Sequence, residues 1–225
     1  MELAHKTAFI TGGASGLGLA TARNFVETGA NVCLYDMNEE SLELAAKEFG
    51  SKASCFRGDV ADEASVKEAI KETISSFGAI HINVNSAGIG GAARTVGRDG
   101  PMPLEKFEHI IRVNLVGTFN VLRLCAEAMQ VNEPQNEDQE RGVIVNVASI
   151  AAFDGQTGQA GYAASKGGIV SMTLPIARDL AKRGIRVVTV APGIFETPLL
   201  AGAPDEVKEP LIAITQFPKR LGNPE

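Results

Sequence analysis

A tyrosine and a lysine stand four positions apart in the stretch YAASK, residues 162–166. On a helix that spacing stacks Tyr162 and Lys166 as neighbours and directs their tips to one point. A phenol with its ordinary pKa near 10 is a poor base at neutral pH, and lowering it by about three units requires about 4 kcal/mol in favour of phenolate. One ammonium at ~4 Å, in an effective dielectric near 20, supplies about that much. The pair is therefore expected to act as a general acid/base, with Lys166 depressing the phenol. The competing reading is a surface tyrosine beside a lysine whose stem lies along the helix. Small Ala163, Ala164 and Gly167 leave room for a ligand, and equally for a second helix.

A glycine-rich stretch, TGGASGLG at 11–18, sits between a strand-like run and a helical one. Gly12, Gly16 and Gly18 fall as G-x-x-x-G-x-G, with Ser15 and Leu17 between them, so the G-x-G-x-x-G dinucleotide fingerprint is met only in its physics. Glycine lets the chain turn off the strand, lets backbone approach a pyrophosphate, and aims helix-start N–H groups at an anion. Asp36 follows Gly16 by twenty residues, at the end of the next strand-like run. A carboxylate there either accepts the hydroxyls of an adenosine ribose or caps the next helix, and the preceding glycine loop favours the ribose. A 2′-phosphate would meet that carboxylate with no cation from Ser15 or Met37 to offset it, so NAD is expected over NADP. Asp59 and Val60 after the third run, and Asn85, Ala87 and Gly88 in NSAG (85–88), fall at the same rim; turn chemistry would explain them equally.

These residues need a frame, and the chain supplies one by alternation. TAFIT (7–11), NVCLYD (31–36), ASCFRGD (53–59), INVNSAG (82–88), VIVNVAS (143–149) and RVVTVAP (186–192) are apolar or β-branched runs, mostly without polar alternation. Strands of that kind are buried on both faces of a parallel sheet. Between them Asn38 is expected to cap a helix ended by Gly50, and Asp62 one ended by Gly78. The expected fold class is therefore α/β, a single domain with a doubly wound, Rossmann-like parallel sheet. Two stretches break the pattern and are expected to be surface loops: the Gly/Pro-rich 90–103, a candidate substrate wall, and the acidic 130–142, a solvated excursion without chemistry.

Composition narrows the partners. A net charge of −6 and a pI near 5.2 give no basic footprint for nucleic acid or anionic membrane, and a small-molecule substrate is the better default. Three scattered cysteines in apolar contexts form neither a disulfide framework nor a zinc set. With the first strand starting by Thr7 and no run near the ~18 apolar residues of a membrane span, a cytoplasmic compartment is expected. A serine hydrolase is disfavoured, since G-x-S-x-G is absent and His5, His81 and His109 bear no recognisable relation to Ser149.

The ordered set TGGxxGxG, NSAG, Asn114, Ser149, Tyr162, Lys166 and the PG at 192–193 resembles the short-chain dehydrogenase/reductase family over essentially the whole chain. The resemblance implies an NAD-dependent interconversion of a secondary alcohol and a ketone, on a short 3-hydroxyacyl-CoA or a hydroxysteroid, with an NADP-dependent 3-oxoacyl reductase and a non-catalytic NAD-binding scaffold as the alternatives. It implies Tyr162 as acid/base, Lys166 on the nicotinamide ribose, Ser149 as donor to the reacting oxygen, and Asn114 as anchor of a water linking Lys166 to solvent. Pro192, Gly193, Phe195 and Thr197 would meet the nicotinamide half, while Phe195, Leu199, Leu200 and Leu211 would form an apolar flap. Gln159 and Leu199 are candidate substrate contacts, and Arg94 and Arg98 could meet a CoA phosphate. The family also implies a homotetramer, and a further helix and strand beyond Glu225. Without these the 186–192 strand is expected at an open sheet edge.

Overall fold

All five residues of β1 (Thr7–Thr11) are buried, as are the four of β4 (Ile82–Asn85), so these strands are covered on both faces. The computed structural model describes residues 1–201, 212–213 and 215–225, with the Leu199 side chain outside the description. Together with β2 (Asn31–Asp36), β3 (Ala53–Arg57), β7 (Gly142–Val147) and β8 (Ile185–Val190), β1 and β4 form a six-stranded parallel sheet ordered β3-β2-β1-β4-β7-β8. The chain adds strands outward from β1 to β3, then returns to the far side of β1 and adds β4, β7 and β8. The order reverses between β1 and β4, where a doubly wound sheet opens a crevice at its carboxyl edge.

Side-chain parity divides the core in two. Phe9, Cys33, Tyr35 and Ile144 face one cluster, completed by Val66, Ile70, Val121, Leu122 and Met129. Ala8, Ile10, Val32, Leu34, Ile82, Val84 and Val143 face the other, completed by Ala22, Leu42 and Ala45. Both parities are apolar, which is why the strands read as continuous runs. α1 (Gly16–Glu27), α2 (Glu39–Phe49) and α3 (Glu63–Phe77) make the first crossovers. Asn38 caps α2 by accepting from Ser41 N at 3.0 Å, Asp62 caps α3 through Ala64 N and Ser65 N, and Gly50 and Gly78 end the two helices at positive φ.

The second half departs from simple alternation. Residues 90–103 contain a short antiparallel hairpin, β5 (Val96–Gly97) with β6 (Gly100–Pro101), where a plain loop was expected. α4 (Leu104–Ile111) passes through a π-helical segment, Arg112–Gly117, into α5 (Thr118–Met129). The segment packs so closely that a side chain at Gly117 would overlap Val60. α6 (Ala160–Ala181) runs through Pro175 without ending there. β8 pairs with β7 alone among the described residues, at the sheet edge as expected, and α7 (Pro198–Ala201) follows it. Among the described residues, no helix is long and apolar enough to cross a membrane. Cys33 and Cys125 are fully buried, and burial pushes both thiols up, Cys33 to about 12.

The acidic stretch 130–142 is not a loose excursion. Glu140, only 8% exposed, accepts from Arg186 Nε and NH2 at 2.8 and 2.6 Å and from Asn136 Nδ2 at 3.0 Å. Asn132 Nδ2 donates to the carbonyls of Ile80 and Arg141. The stretch thus joins the β4 approach to β8 through Asn132 and Glu140, while Glu133, Glu137 and Asp138 are exposed as a surface loop requires. Burial pushes the Glu140 carboxyl up, but the hydrogen bonds and charges of Arg186 and of the Met1 ammonium, 3.6 Å away, together outweigh it and leave the group below its ordinary value. A depressed carboxylate stabilises the fold above its unfolded pKa and loses that contribution as pH falls through its folded value. Glu140→Gln is accordingly expected to cost about 1–2 kcal/mol at pH 7, with the difference from the parent shrinking below about pH 4. Urea unfolding of both proteins at the two pH values measures it.

Candidate active site

At the reversal of strand order lies a cleft of about 510 Å³. Its first end is built by the turn from β1 into α1. Gly12 has φ +61°, and a Cβ there would come within 2.9 Å of Ala87 backbone, so only glycine lets the β1 and β4 exits approach this closely. Ser15 is the N-cap of α1 but makes no side-chain cap bond, which leaves the helix's first N–H groups for an anion in the cleft. Ser15, Gly16, Leu17 and Gly18 all line that cleft, and a Cβ on Gly16 would reach Thr197 at 3.2 Å, so the loop after β8 closes over the glycine turn.

Asp36 lines the same end. Its Oδ2 accepts from Ala14 N at 3.1 Å and its Oδ1 from Asn38 N at 3.0 Å, which leaves lone pairs on both oxygens for ribose hydroxyls. The cap of α2 is Asn38, so the capping alternative for Asp36 does not hold. Asp59 and Val60 also line the cleft, in the turn after β3; Asp59 Oδ1 accepts from Ala61 N at 2.9 Å, so the turn-forming and rim-forming readings are both satisfied. Ala87 and Gly88 line the wall, but Asn85 does not. Asn85 is 2% exposed, exchanges amide hydrogen bonds with Asn83 and donates to Asn146 Oδ1 at 2.9 Å. Its strand parity turns it into the sheet, where three buried amides cross-link β4 and β7. The expectation of Asn85 as a cofactor contact is corrected on that ground.

At the other end, Ser149 starts a 3₁₀ turn and its Oγ accepts from Ala151 N at 3.2 Å. The hydroxyl shares the cleft with the Tyr162 phenol and favours its ionised form. Tyr162 and Lys166 rise from α6 one turn apart, and both line the cleft. Lys166 is 4% exposed; its Nζ donates to the Val147 carbonyl at 2.9 Å and lies 5.7 Å from the Tyr162 ring centroid. Burial lowers the lysine to about 8. It also raises the phenol, against the opposing influence of the Ser149 hydroxyl. The expectation that the ammonium by itself depresses the phenol is therefore corrected: the same exclusion of water disfavours both charges, and the ammonium is bound to a carbonyl.

Asn114 lies behind this wall, fully buried in the π-helical segment. Its Oδ1 accepts from Ile89 N at 2.8 Å, while Nδ2 donates to Ile89 O at 3.0 Å and Ser165 Oγ at 3.1 Å. It braces the strand exit against α6, with both amide hydrogens used and only acceptor capacity left for a water. A Cβ on Gly88 would meet Asn114 Oδ1 at 3.2 Å and Lys166 Nζ at 3.5 Å, so that glycine passes the backbone between amide and ammonium.

The remaining expectations divide. Pro192, Gly193, Phe195, Thr197 and Leu200 line the cleft. Gln159 does too, with its Oε1 accepting from Gln156 N at 2.9 Å. Leu199 belongs to α7, but its side chain, like the whole of Leu211, lies outside the described residues. Arg94 and Arg98 are exposed and do not line the cleft. Sequence reasoning missed Ile89, Val113, Ile150, Asp154 and Gln156, which do. For Asp154 and Gln156 the available signal was position alone, on the connection after a strand's carboxyl end.

Comparison with known proteins agrees with this geometry. Residues 6–208 match the model of a family described as short chain dehydrogenase. The chain is 52% identical over 219 residues to 3-hydroxyacyl-CoA dehydrogenase type-2 of Bos taurus, covering 96% of this chain and 84% of that protein. The crystal structure of 3-hydroxyacyl-CoA dehydrogenase type-2 from Mycobacterium avium superposes with a TM-score of 0.90 at 40% identity, over 98% of this chain and 85% of that one. The 3-ketoacyl-(acyl-carrier-protein) reductase of Brucella melitensis, solved in complex with NADH, gives 0.84 at 34% identity, over 99% and 87%. A glycine turn, the Asp36 carboxylate, a half-buried serine and tyrosine and a buried lysine in one cleft fit a nicotinamide cofactor and its redox chemistry, and the chain belongs to the short-chain dehydrogenase family of oxidoreductases.

Proposed function

We propose that the protein is an NAD-dependent dehydrogenase that interconverts a secondary alcohol and a ketone, with 3-hydroxyacyl and 3-oxoacyl thioesters of CoA as its substrate class. The observation that carries this reading is the placement of the Ser149, Tyr162 and Lys166 functional groups at one end of the cleft whose other end holds the glycine turn and Asp36. Gly12, Ser15, Gly16, Leu17 and Gly18 would hold the pyrophosphate. Asp36, Asp59 and Val60 would take the adenosine, and Ala87, Gly88, Tyr162, Lys166, Pro192, Gly193, Phe195 and Thr197 the nicotinamide half. When bound, that cofactor supplies or receives the hydride.

The protein's own residues handle the proton. In reduction the Tyr162 phenol gives its proton to the oxygen on which negative charge develops, and the Ser149 hydroxyl donates a hydrogen bond to the same oxygen. A phenol raised by burial rests in its acid form, which suits this direction. In oxidation the phenol must first lose that proton, and Lys166, still mostly charged at pH 7 with its pKa near 8, is the cation that stabilises the resulting phenolate. Asn114 keeps the wall between Ile89 and α6 in place while this happens. Apolar Ile150, Val113, Ile194 and Leu200 line the cleft and suit an acyl chain, with Gln159 beside the thioester. The relatives' names favour the CoA thioester over a steroid, the second substrate that this apolar cleft accommodates.

The choice of NAD over NADP rests on charge. Lys166, at the opposite end, is the only Lys or Arg among the described residues that line the cleft, so a 2′-phosphate would meet Asp36 with no counter-ion from them. For assembly, Val116 and Phe119 are 50% and 46% exposed on the helix that follows α4, and Leu174 is 56% exposed on α6; this apolar face favours a homotetramer packed through those helices.

Two outcomes follow. Tyr162→Phe is expected to lower turnover of acetoacetyl-CoA by roughly 10²–10⁴-fold while the Kd for NADH stays within about threefold, measured by NADH absorbance and fluorescence titration. Unchanged turnover would remove the acid/base assignment. Cofactor titration is expected to give at least about a tenfold preference for NADH over NADPH, narrowed in Asp36→Ala. A parent enzyme that prefers NADPH would overturn the charge argument.

A further inference from the structure

Tyr35 precedes Asp36 on β2 and is 1% exposed, its ring tilted against Phe9 with centroids 5.8 Å apart. A buried phenol needs partners for its oxygen. Its single proton goes to the carbonyl of Asp59 at 3.1 Å, so Ser65 Oγ, 2.7 Å away, is the donor to the phenol oxygen. Burial raises the phenol, against the Ser65 hydrogen bond, and so keeps the donor form. The approach is possible because residue 58 is glycine: a methyl group there would overlap both the phenol oxygen and Ser65 Oγ.

The turn that receives this bond is the one between β3 and α3 that lines the cleft with Gly58, Asp59 and Val60. Gly58 N donates to the carbonyl of Asp36 at 2.9 Å, and Asn120 Nδ2 of α5 donates to the carbonyl of Val60 at 2.8 Å. Two buried side chains, one from the strand that carries Asp36 and one from the helix below, therefore fix successive carbonyls of one turn. We infer that the Tyr35 hydroxyl, oriented by Ser65, is a positioning residue that holds the 58–60 turn against Asp36 and so sets the adenosine end of the cofactor site. This rests on the reading of that end given above.

The test is calorimetric titration of the full chain with two halves of the cofactor, AMP and nicotinamide mononucleotide. Tyr35→Phe retains the ring and is expected to weaken AMP roughly three- to tenfold, the effect of one hydrogen bond, and to leave the mononucleotide within about twofold. The KM for NADH should rise by a similar factor, with kcat within about twofold. Ser65→Ala frees the phenol to rotate and should give a loss of the same kind; if Tyr35→Phe does not fold, this variant decides. AMP affinity equal to the parent's, or equal losses for both halves, would overturn the positioning role while leaving the cofactor reading intact. A parent that binds neither AMP nor NADH would overturn the cofactor reading and this inference with it.

Discussion

Exclusion of water from Lys166 and Tyr162 is the constraint on which the site depends. An ammonium removed from water needs a fixed partner, and the Val147 carbonyl supplies it at the carboxyl end of β7. That bond sets where the α6 face can lie relative to the sheet, and with it the position of the phenol in the cleft that Ser149 also lines. The same burial lowers the lysine and raises the phenol, so in the cofactor-free protein the phenol stays neutral at pH 7 while the ammonium, though weakened, persists. A cleft in this state holds its acid protonated until a ligand brings opposite charge to it.

Around that constraint the fold contributes rigid supports of different kinds. A parallel sheet buried on both faces fixes the strand exits, and the reversal of order beside β1 leaves the space they surround. Polar side chains then lock individual exits. Asn114 ties Ile89 to Ser165, the amides of Asn83, Asn85 and Asn146 tie β4 to β7, and Glu140 ties the segment before β7 to β8 through Arg186. Each is a buried group with its hydrogen bonds satisfied, which fixes geometry more sharply than apolar packing of similar volume.

Much of this was legible in the residues. Glycine turns, helix caps and two-sided apolar strands are local signals, and Gly12, Asn38, Asp62 and the runs at 7–11 and 31–36 appear where those signals place them. Tyr162 and Lys166 were legible because the i, i+4 spacing is itself local. What escaped depends on contacts distant in sequence. Asn85 reads as a rim residue in NSAG, yet strand parity turns it towards Asn146, sixty-one positions away. Residues 130–142 read as solvated because Arg186 is not visible as the partner of Glu140 from composition. The direction of the phenol's pKa could not be read from a helix spacing either, since it turns on how much water the folded cleft excludes.

The most direct measurement is a pH titration of the Lys166 Cε–Nζ group by NMR in the cofactor-free protein, assigned by its loss in Lys166→Arg. The account predicts an ammonium that titrates near 8 beside a phenol that titrates above its ordinary value. A lysine with the ordinary value near 10.5, or a phenol ionised at neutral pH before any ligand is bound, would contradict it.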